Sequence, residues 1–134
     1  MPSYRTTETP LRFAVAAMFV CGLTGTAAAG STDQVAAGRS LSEQYCSRCH
    51  VIGDFNPTGG IGSTPSFQLL VNAFDDWADR FETFQARRPH PSFVRVTGYP
   101  YPDPKVFPPN ATPVVIDLDD IAAIRAFAGT LRKD

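Results

Sequence analysis

The sequence predicts an all-α domain. Apolar residues recur at three- and four-residue intervals in several stretches, which is the spacing of one helix face. No stretch is convincing as a strand. Eight of the twelve prolines lie between residues 89 and 113, and prolines so dense exclude regular helix or central strand there. The helices are therefore expected before and after that segment.

The N-terminus has the order of a secretory signal peptide. Two arginines precede an apolar run from Phe13 to Leu23, and small residues then lead to Ala29. The run is too short to span a bilayer comfortably, so we expect no membrane span after cleavage. Residues 1–29 are thus interpreted as a signal peptide that is removed. Residues 30–134 form one domain, which we expect in the periplasm.

Composition limits the function of that domain. The chain has a formal net charge of −1 at pH 7, which gives no support for binding nucleic acid or an anionic membrane. Of the three cysteines, Cys21 lies in the signal, so only Cys46 and Cys49 remain. No nucleophile and base stand out as a pair, and we do not expect an enzyme.

Cys46 and Cys49 belong to a C-x-x-C-H run that ends in His50, the pattern typical of c-type haem attachment. Residues three apart share a face of a helical turn, so both thiols can reach the edge of one porphyrin. Each thiol would form a thioether with one vinyl group. The imidazole of His50 would then bind the iron. The run therefore predicts one covalently bound haem c.

Other interpretations of the two cysteines are weaker. A thioredoxin-like redox pair shares the C-x-x-C spacing, but it is expected in a βαβ setting, which the sequence lacks. A zinc site would need a second pair of ligands, and the only other histidine is His90. A structural disulfide explains the spacing but not the histidine.

The first predicted helix covers residues 31–45. Ser31 or Thr32 can cap it, and Asp33 suits the positive end of the helix dipole. Gly38 lies inside this helix, where glycine costs about 1 kcal/mol relative to alanine. Close approach of another helix is one reason for a glycine there. Four glycines and a proline then predict a loop over residues 51–64.

Three further helical stretches follow the loop. One begins at Pro65 and runs through Val71. Another runs from about Asp75 to Arg87, with Asp75 or Asp76 as its cap and an aromatic stripe that we interpret as core. The clearest helix covers residues 117–133, with Asp117 or Asp119 as cap and an apolar stripe through Ile124 and Phe127. Between the last two, the proline-rich segment alternates with aromatics, so we expect it to lie against an apolar surface, such as an open haem face.

These features resemble the small bacterial class I cytochromes c over essentially the whole mature region. Gly38 precedes Cys46 by eight positions, as in the N-terminal helix of that family, and the last helix resembles the partner that crosses it. Residues 64–67 are similar to the family's proline segment. The resemblance implies a cytochrome c-like fold of three to five helices around one haem. It also implies that the carbonyl of Pro65 accepts a hydrogen bond from Nδ1 of His50.

The chain departs from that family at the second axial ligand, which is usually a methionine. Its only methionines, Met1 and Met18, lie in the signal. The run Pro89-His90-Pro91-Ser92-Phe93 is similar to a Pro-His-Pro-x-Met run of many members, with Phe93 at the methionine position. Three possibilities follow: His90 binds the iron, the iron is five-coordinate or water-bound under an apolar cap around Phe93, or another residue such as Lys105 or Tyr99 binds. The first two possibilities predict a reduction potential below that of a His/Met cytochrome.

The resemblance implies a periplasmic monohaem cytochrome that carries single electrons between redox partners, such as a dehydrogenase and an oxidase. We expect a monomer. The alternative is a haem module that binds a gas or other ligand, or an accessory haem subunit, in either case with an open or weakly ligated sixth position. Five arginines are either a ring that steers an acidic partner to the haem edge or scattered surface charges: Arg39, Arg48, Arg87, Arg88 and Arg95.

Overall fold

The computed structural model describes residues 30–106 and 112–133. The predicted signal peptide, with Cys21 and both methionines, lies outside the described residues. The described chain is mostly helical, with four α-helices and one pair of short strands. The α-helices are α1 (Thr32–Leu41), α2 (Phe67–Ala73), α3 (Trp77–Glu82) and α4 (Leu118–Gly129), and the strands are β1 (Val94–Val96) and β2 (Val114–Ile116).

The first helix begins where its sequence signals predict. The hydroxyl of Ser31 accepts a hydrogen bond from the backbone N–H of Gln34 at 3.2 Å, which satisfies one of the free donors at a helix start. After α1 the chain continues through one π-helical turn, Ser42–Cys46. Ser42 is fully buried in that turn, and its hydroxyl donates to the carbonyl of Gly38 at 2.7 Å. The chain is thus helical up to Cys46.

Helices α1 and α4 pack against each other at Gly38. A Cβ atom at this position would overlap the carbonyl group of Ala123 in α4. The close approach expected at this glycine is therefore confirmed. Glycine is required because the two backbones leave no space for a side chain.

One apolar cluster joins the helices. Phe67 and Val71 of α2, Phe81 of α3 and Phe127 of α4 are all buried in it, together with Ile52 from the loop after α1. Helix α3 is shorter than predicted, because it ends at Glu82 and a separate 3₁₀ turn, Phe84–Ala86, follows. Of the predicted aromatic stripe, Phe81 is buried in this cluster and Trp77 packs against it, whereas Phe84 packs against a second cluster.

The predicted caps of α3 and α4 have different outcomes. Asp76 precedes α3, but its carboxylate accepts a hydrogen bond from Nε of Arg80 at 2.7 Å instead of capping the helix. Asp117 is the residue before α4, and its N–H donates to the carboxylate of Asp120 at 2.8 Å. The side chains of Asp117 and Asp120 therefore cap the start of α4 as a capping box.

The expectation of a chain without strands is wrong in one place. Strands β1 and β2 form a parallel pair in which Val94 lies opposite Val114 and Val96 opposite Ile116. Val96 and Ile116 are buried beside Ile121 in a second, smaller cluster. The strand pair thus brings together residues near the two ends of the proline-rich segment and packs them against Ile121 of α4.

The proline-rich segment is only partly packed. Pro91 is buried, but Tyr101 exposes 76% of its surface, with the guanidinium of Arg95 over its ring at 5.6 Å. The expectation that the aromatic residues of this segment lie against an apolar surface, such as an open haem face, stays a prediction. No helix in residues 30–106 and 112–133 has the length and apolar character needed to cross a bilayer.

Candidate functional site

The C-x-x-C-H run lies on the turn that follows α1. The backbone N–H groups of Cys49 and His50 both donate to the carbonyl of Cys46, at 3.0 and 2.9 Å. The turn brings the three side chains into one region, with both cysteines partly exposed and both thiols free. The structure therefore contains no disulfide between Cys46 and Cys49.

The thiol of Cys46 has an unusual environment. Burial, with a smaller contribution from neighbouring Cys49, raises the pKa of Cys46 to about 12. A thioredoxin-like exchange needs a thiolate at neutral pH, and the protonated thiol of Cys46 is a poor candidate for that chemistry. The raised pKa argues against a redox cysteine pair.

The imidazole of His50 is held by the segment that opens α2. Its Nδ1 lies 2.7 Å from the carbonyl oxygen of Pro65, the contact that the proline segment implied. Because a carbonyl can only accept a hydrogen bond, Nδ1 carries the proton and Nε2 keeps its lone pair. Burial lowers the pKa of His50, although the hydrogen bond to Pro65 opposes this shift, so the neutral form that can bind a metal is favoured.

His90 is held in a similar way on a 3₁₀ turn, His90–Ser92. Its Nδ1 lies 3.0 Å from the carbonyl oxygen of Arg87. Nδ1 therefore carries the proton here too, and the lone pair is on Nε2. Burial also lowers the pKa of His90. Both histidines thus present one free, unprotonated nitrogen each.

The two imidazoles lie close together, although 40 positions separate them in the chain. Their centroids are 6.1 Å apart and their planes differ by 2°. A metal–imidazole bond is about 2 Å long, and a ring nitrogen lies about 1 Å from its ring centre, so two imidazoles on opposite sides of one iron have centroids about 6 Å apart. The observed centroid separation is about the one that two imidazoles on opposite sides of one iron would have.

An aromatic ring lies against each imidazole. Phe67 contacts His50 edge-on, with centroids 5.5 Å apart and an angle of 66°. Phe84 contacts His90 in the same manner, at 5.2 Å and 77°. Each imidazole therefore has one aromatic ring against it and is partly exposed.

Asn56, which no sequence pattern indicated, connects the loop to the C-x-x-C-H turn. Its Oδ1 accepts from the N–H of Ile52 at 2.7 Å, and its Nδ2 donates to the carbonyls of Ser47 and His50, both at 3.0 Å. The loop returns to the same turn at Gly60, where φ is +75° and a Cβ would lie 3.0 Å from the carbonyl oxygen of Cys49. An asparagine in a Gly/Pro loop is too common to have indicated this contact.

Phe93, Tyr99 and Lys105, the other residues that the sequence indicates near the second axial position, differ in exposure and contacts. The backbone of Phe93 links the His90 turn to β2, because its N–H donates to His90 at 2.8 Å and its carbonyl accepts from Val114 at 2.8 Å. Tyr99 is 52% exposed and lines a cavity of about 230 Å³ beside Glu82 and Arg125. Lys105 is exposed.

The arginines of the proposed ring differ in their surroundings. Arg39 forms an ion pair with Glu43 at 3.5 Å, and Arg87 forms one with Asp79 at 2.7 Å. Arg95 donates to the backbone carbonyls of its own segment. These three side chains are engaged within the protein, which weakens their case for steering a partner, whereas Arg48 is exposed between the two cysteines.

The described residues contain no group of three or more His, Cys, Asp and Glu side chains that could hold a metal ion by themselves. A four-ligand zinc site is therefore not formed within them. Comparison of the chain with protein-family models, with curated proteins and with solved structures found no match.

Proposed function

We propose that the protein is a periplasmic monohaem c-type cytochrome that carries single electrons, with a haem bound covalently to Cys46 and Cys49 and its iron bound by His50 and His90. The observation that carries the proposal is the parallel histidine pair at 6.1 Å. Both Nδ1 atoms of this pair are engaged, and two free thiols lie on the turn that carries His50.

The residues have separate tasks in this proposal. The haem supplies a one-electron iron couple when bound. Cys46 and Cys49, both free thiols on one turn, would attach it through thioether bonds. The Pro65 carbonyl fixes the ring of His50 and raises its basicity as a ligand. Phe67 and Phe84 contact the two imidazoles edge-on and limit their movement.

The architecture supports a cytochrome c-like fold for the domain. Helix α1 crosses α4 at Gly38, eight positions before Cys46. The segment that opens α2 supplies the carbonyl that bonds to His50. The helices and the proline segment thus occur in the order that the family resemblance implies. The parallel strand pair is an addition to that expectation.

An electron carrier is favoured over a ligand-binding module by His90. A sensor of nitric oxide or carbon monoxide needs an open iron position, whereas a second imidazole in the position of His90 would fill it. We infer that the partners are periplasmic redox proteins such as a dehydrogenase or an oxidase. Arg48 is the residue best placed to steer an acidic partner, and electron exchange that does not vary with ionic strength would contradict steering.

Absorption spectra of wild type and of His90→Ala test the proposal. Both proteins are purified after export from a host that matures c-type cytochromes. Wild type should be low-spin, lack the sulfur–iron charge-transfer band and be unchanged by carbon monoxide. His90→Ala should become high-spin and bind carbon monoxide. Ser92→Ala, on the same turn, is the matched control and should behave as wild type.

A wild-type protein that is already high-spin and shifts with carbon monoxide would contradict the proposed coordination. That result would favour the ligand-binding or accessory-subunit alternative. A wild-type protein without haem would contradict the proposed function altogether.

A further inference from the structure

The two imidazole planes differ by only 2°, and each plane is fixed by protein contacts. This orientation is independent of the spacing that supports the iron site, because two ligands at the same separation can have any angle between their planes. The contacts around His90 are of particular interest, since His90 lies on a 3₁₀ turn rather than on a long helix.

We propose that Phe84 is a positioning residue that, with the carbonyl of Arg87, sets the imidazole of His90 parallel to that of His50 across the haem iron. The inference rests on the proposed function and deepens it. It concerns the electronic state of the iron rather than the identity of its ligands.

The carbonyl of Arg87 provides the first constraint. It accepts hydrogen bonds from both the backbone N–H and Nδ1 of His90, each at 3.0 Å. The hydrogen bond to Nδ1 resists rotation of the ring about its bond to Cβ, because rotation would break it. The same oxygen also fixes the backbone from which that ring projects.

Arg87 is itself anchored to α3. Its guanidinium donates to Asp79 at 2.7 Å and to the hydroxyl of Thr83 at 2.9 Å. Its backbone N–H donates to the carbonyl of Phe84 at 2.9 Å. The carbonyl that orients His90 is therefore connected to a helix of the core. Arg87 acts in this way as a structural anchor rather than as a charge for a partner.

Phe84 provides the second constraint. Its ring contacts His90 edge-on at 5.2 Å and 77°, which limits sideways movement of the imidazole. Phe84 also packs against the cluster of Val96, Ile116 and Ile121, so the ring cannot turn away easily. A leucine at this position would keep apolar volume but lose the flat ring.

The mutual orientation of the two imidazoles controls the splitting of the iron d orbitals that accept π-electron density from the ligands. Two parallel ring planes interact with the same iron d orbital and shift its energy away from that of the second orbital. Two perpendicular planes interact with one orbital each, so the two orbital energies stay nearly equal. A low-spin ferric protein with parallel planes should give a rhombic electron paramagnetic resonance spectrum with three resolved g values. Perpendicular planes should give one dominant feature at a higher g value.

Electron paramagnetic resonance of the purified ferric holoprotein tests the inference. Wild type should give the rhombic spectrum. Phe84→Leu should remain low-spin but shift or broaden the largest g value, and Phe84→Tyr, which keeps the ring, should match wild type. Phe74→Leu is the control, because the Phe74 ring lies against Arg80, and it should leave the g values unchanged.

The failures can be told apart. A colourless or wholly high-spin wild type would overturn the proposed function, and this inference with it. A low-spin wild type dominated by one high-g feature would overturn only the parallel orientation, even if no variant folds. A Phe84→Leu spectrum identical to wild type would overturn the role of Phe84.

Discussion

Asn56 shows how a single polar side chain fixes the candidate site. It forms three part-buried hydrogen bonds to the backbone of residues 47–52. The carbonyls of Ser47 and His50 both accept hydrogen bonds from the amide nitrogen of Asn56. The turn that carries both cysteines and His50 is thus tied to the loop that follows it.

Replacing Asn56 by alanine should destabilise the holoprotein by about 2 to 4 kcal/mol, because each lost hydrogen bond contributes about 0.5 to 1.5 kcal/mol and partly buried groups are left unpaired. Chemical denaturation, followed by the haem absorption, measures the change. Asn56→Asp should also destabilise, because a carboxylate cannot donate to the two carbonyls.

Asn72 offers a matched control for that prediction. It also forms three hydrogen bonds to backbone groups, including Leu131 and Lys133 after α4, but these are exposed. Water can replace them, so Asn72→Ala should cost less than Asn56→Ala. Equal losses for the two variants would show that Asn56 has no special role at the site.

Residues of the site differ in how far the sequence could predict them. Cys46, Cys49 and His50 are adjacent, so their motif predicts a shared site without knowledge of the fold. The contact between His50 and Pro65 depended on a family resemblance. The approach of His90 to His50 depends on the packing of two distant segments, and the sequence left it as one of three alternatives. Asn56 gave no signal, and Phe84 was indicated only as part of a core aromatic stripe, because the contacts of both with the site form only in the fold.

At the scale of elements, the crossing of α1 and α4 is the most demanding contact. Gly38→Ala should destabilise the holoprotein by about 3 kcal/mol, the upper end of the range for overpacking. Alanine would gain about 1 kcal/mol in helix propensity. The overlap should outweigh that gain, because the atoms that the new Cβ meets are backbone atoms of Ala123 and Ile124.

Thermal unfolding of the same holoprotein measures this effect. Gly62→Ala is the control, since a Cβ at Gly62 meets nothing within 4 Å, and it should change the stability by less than about 0.5 kcal/mol. A Gly38→Ala protein as stable as wild type would mean that the two helices can separate without cost.

Elements with periodic apolar spacing and cap residues were predictable, and elements made by non-local pairing were not. Ser31, Gly38 and the stripe of α4 indicated two helices and their contact. Strands β1 and β2 have three residues each and pair across the proline-rich segment, which is too short a pattern to distinguish from loop. Helix α3 ended earlier than its aromatic spacing predicted, since the spacing continues through a 3₁₀ turn.

For the whole molecule, the proposed pair of imidazole ligands determines the reduction potential. A thioether ligand raises the potential of c-type cytochromes, and residues 30–134 contain no methionine. The potential of wild type should therefore lie well below that of a His/Met cytochrome, and His90→Met should raise it. A potentiometric titration measures both, and a high, His/Met-like value for wild type would contradict the assignment of His90.

The proposed function depends on covalent bonds between a haem and the sulfurs of Cys46 and Cys49. Mass spectrometry of the protein exported by a host that matures c-type cytochromes tests for these bonds. We expect a coloured protein that begins at Gly30, with the mass of residues 30–134 plus one haem, which denaturation does not release. The double variant Cys46→Ala/Cys49→Ala should carry no covalent haem. A colourless wild type with the mass of the polypeptide alone and two free thiols would show that no haem is attached and would overturn the proposed function.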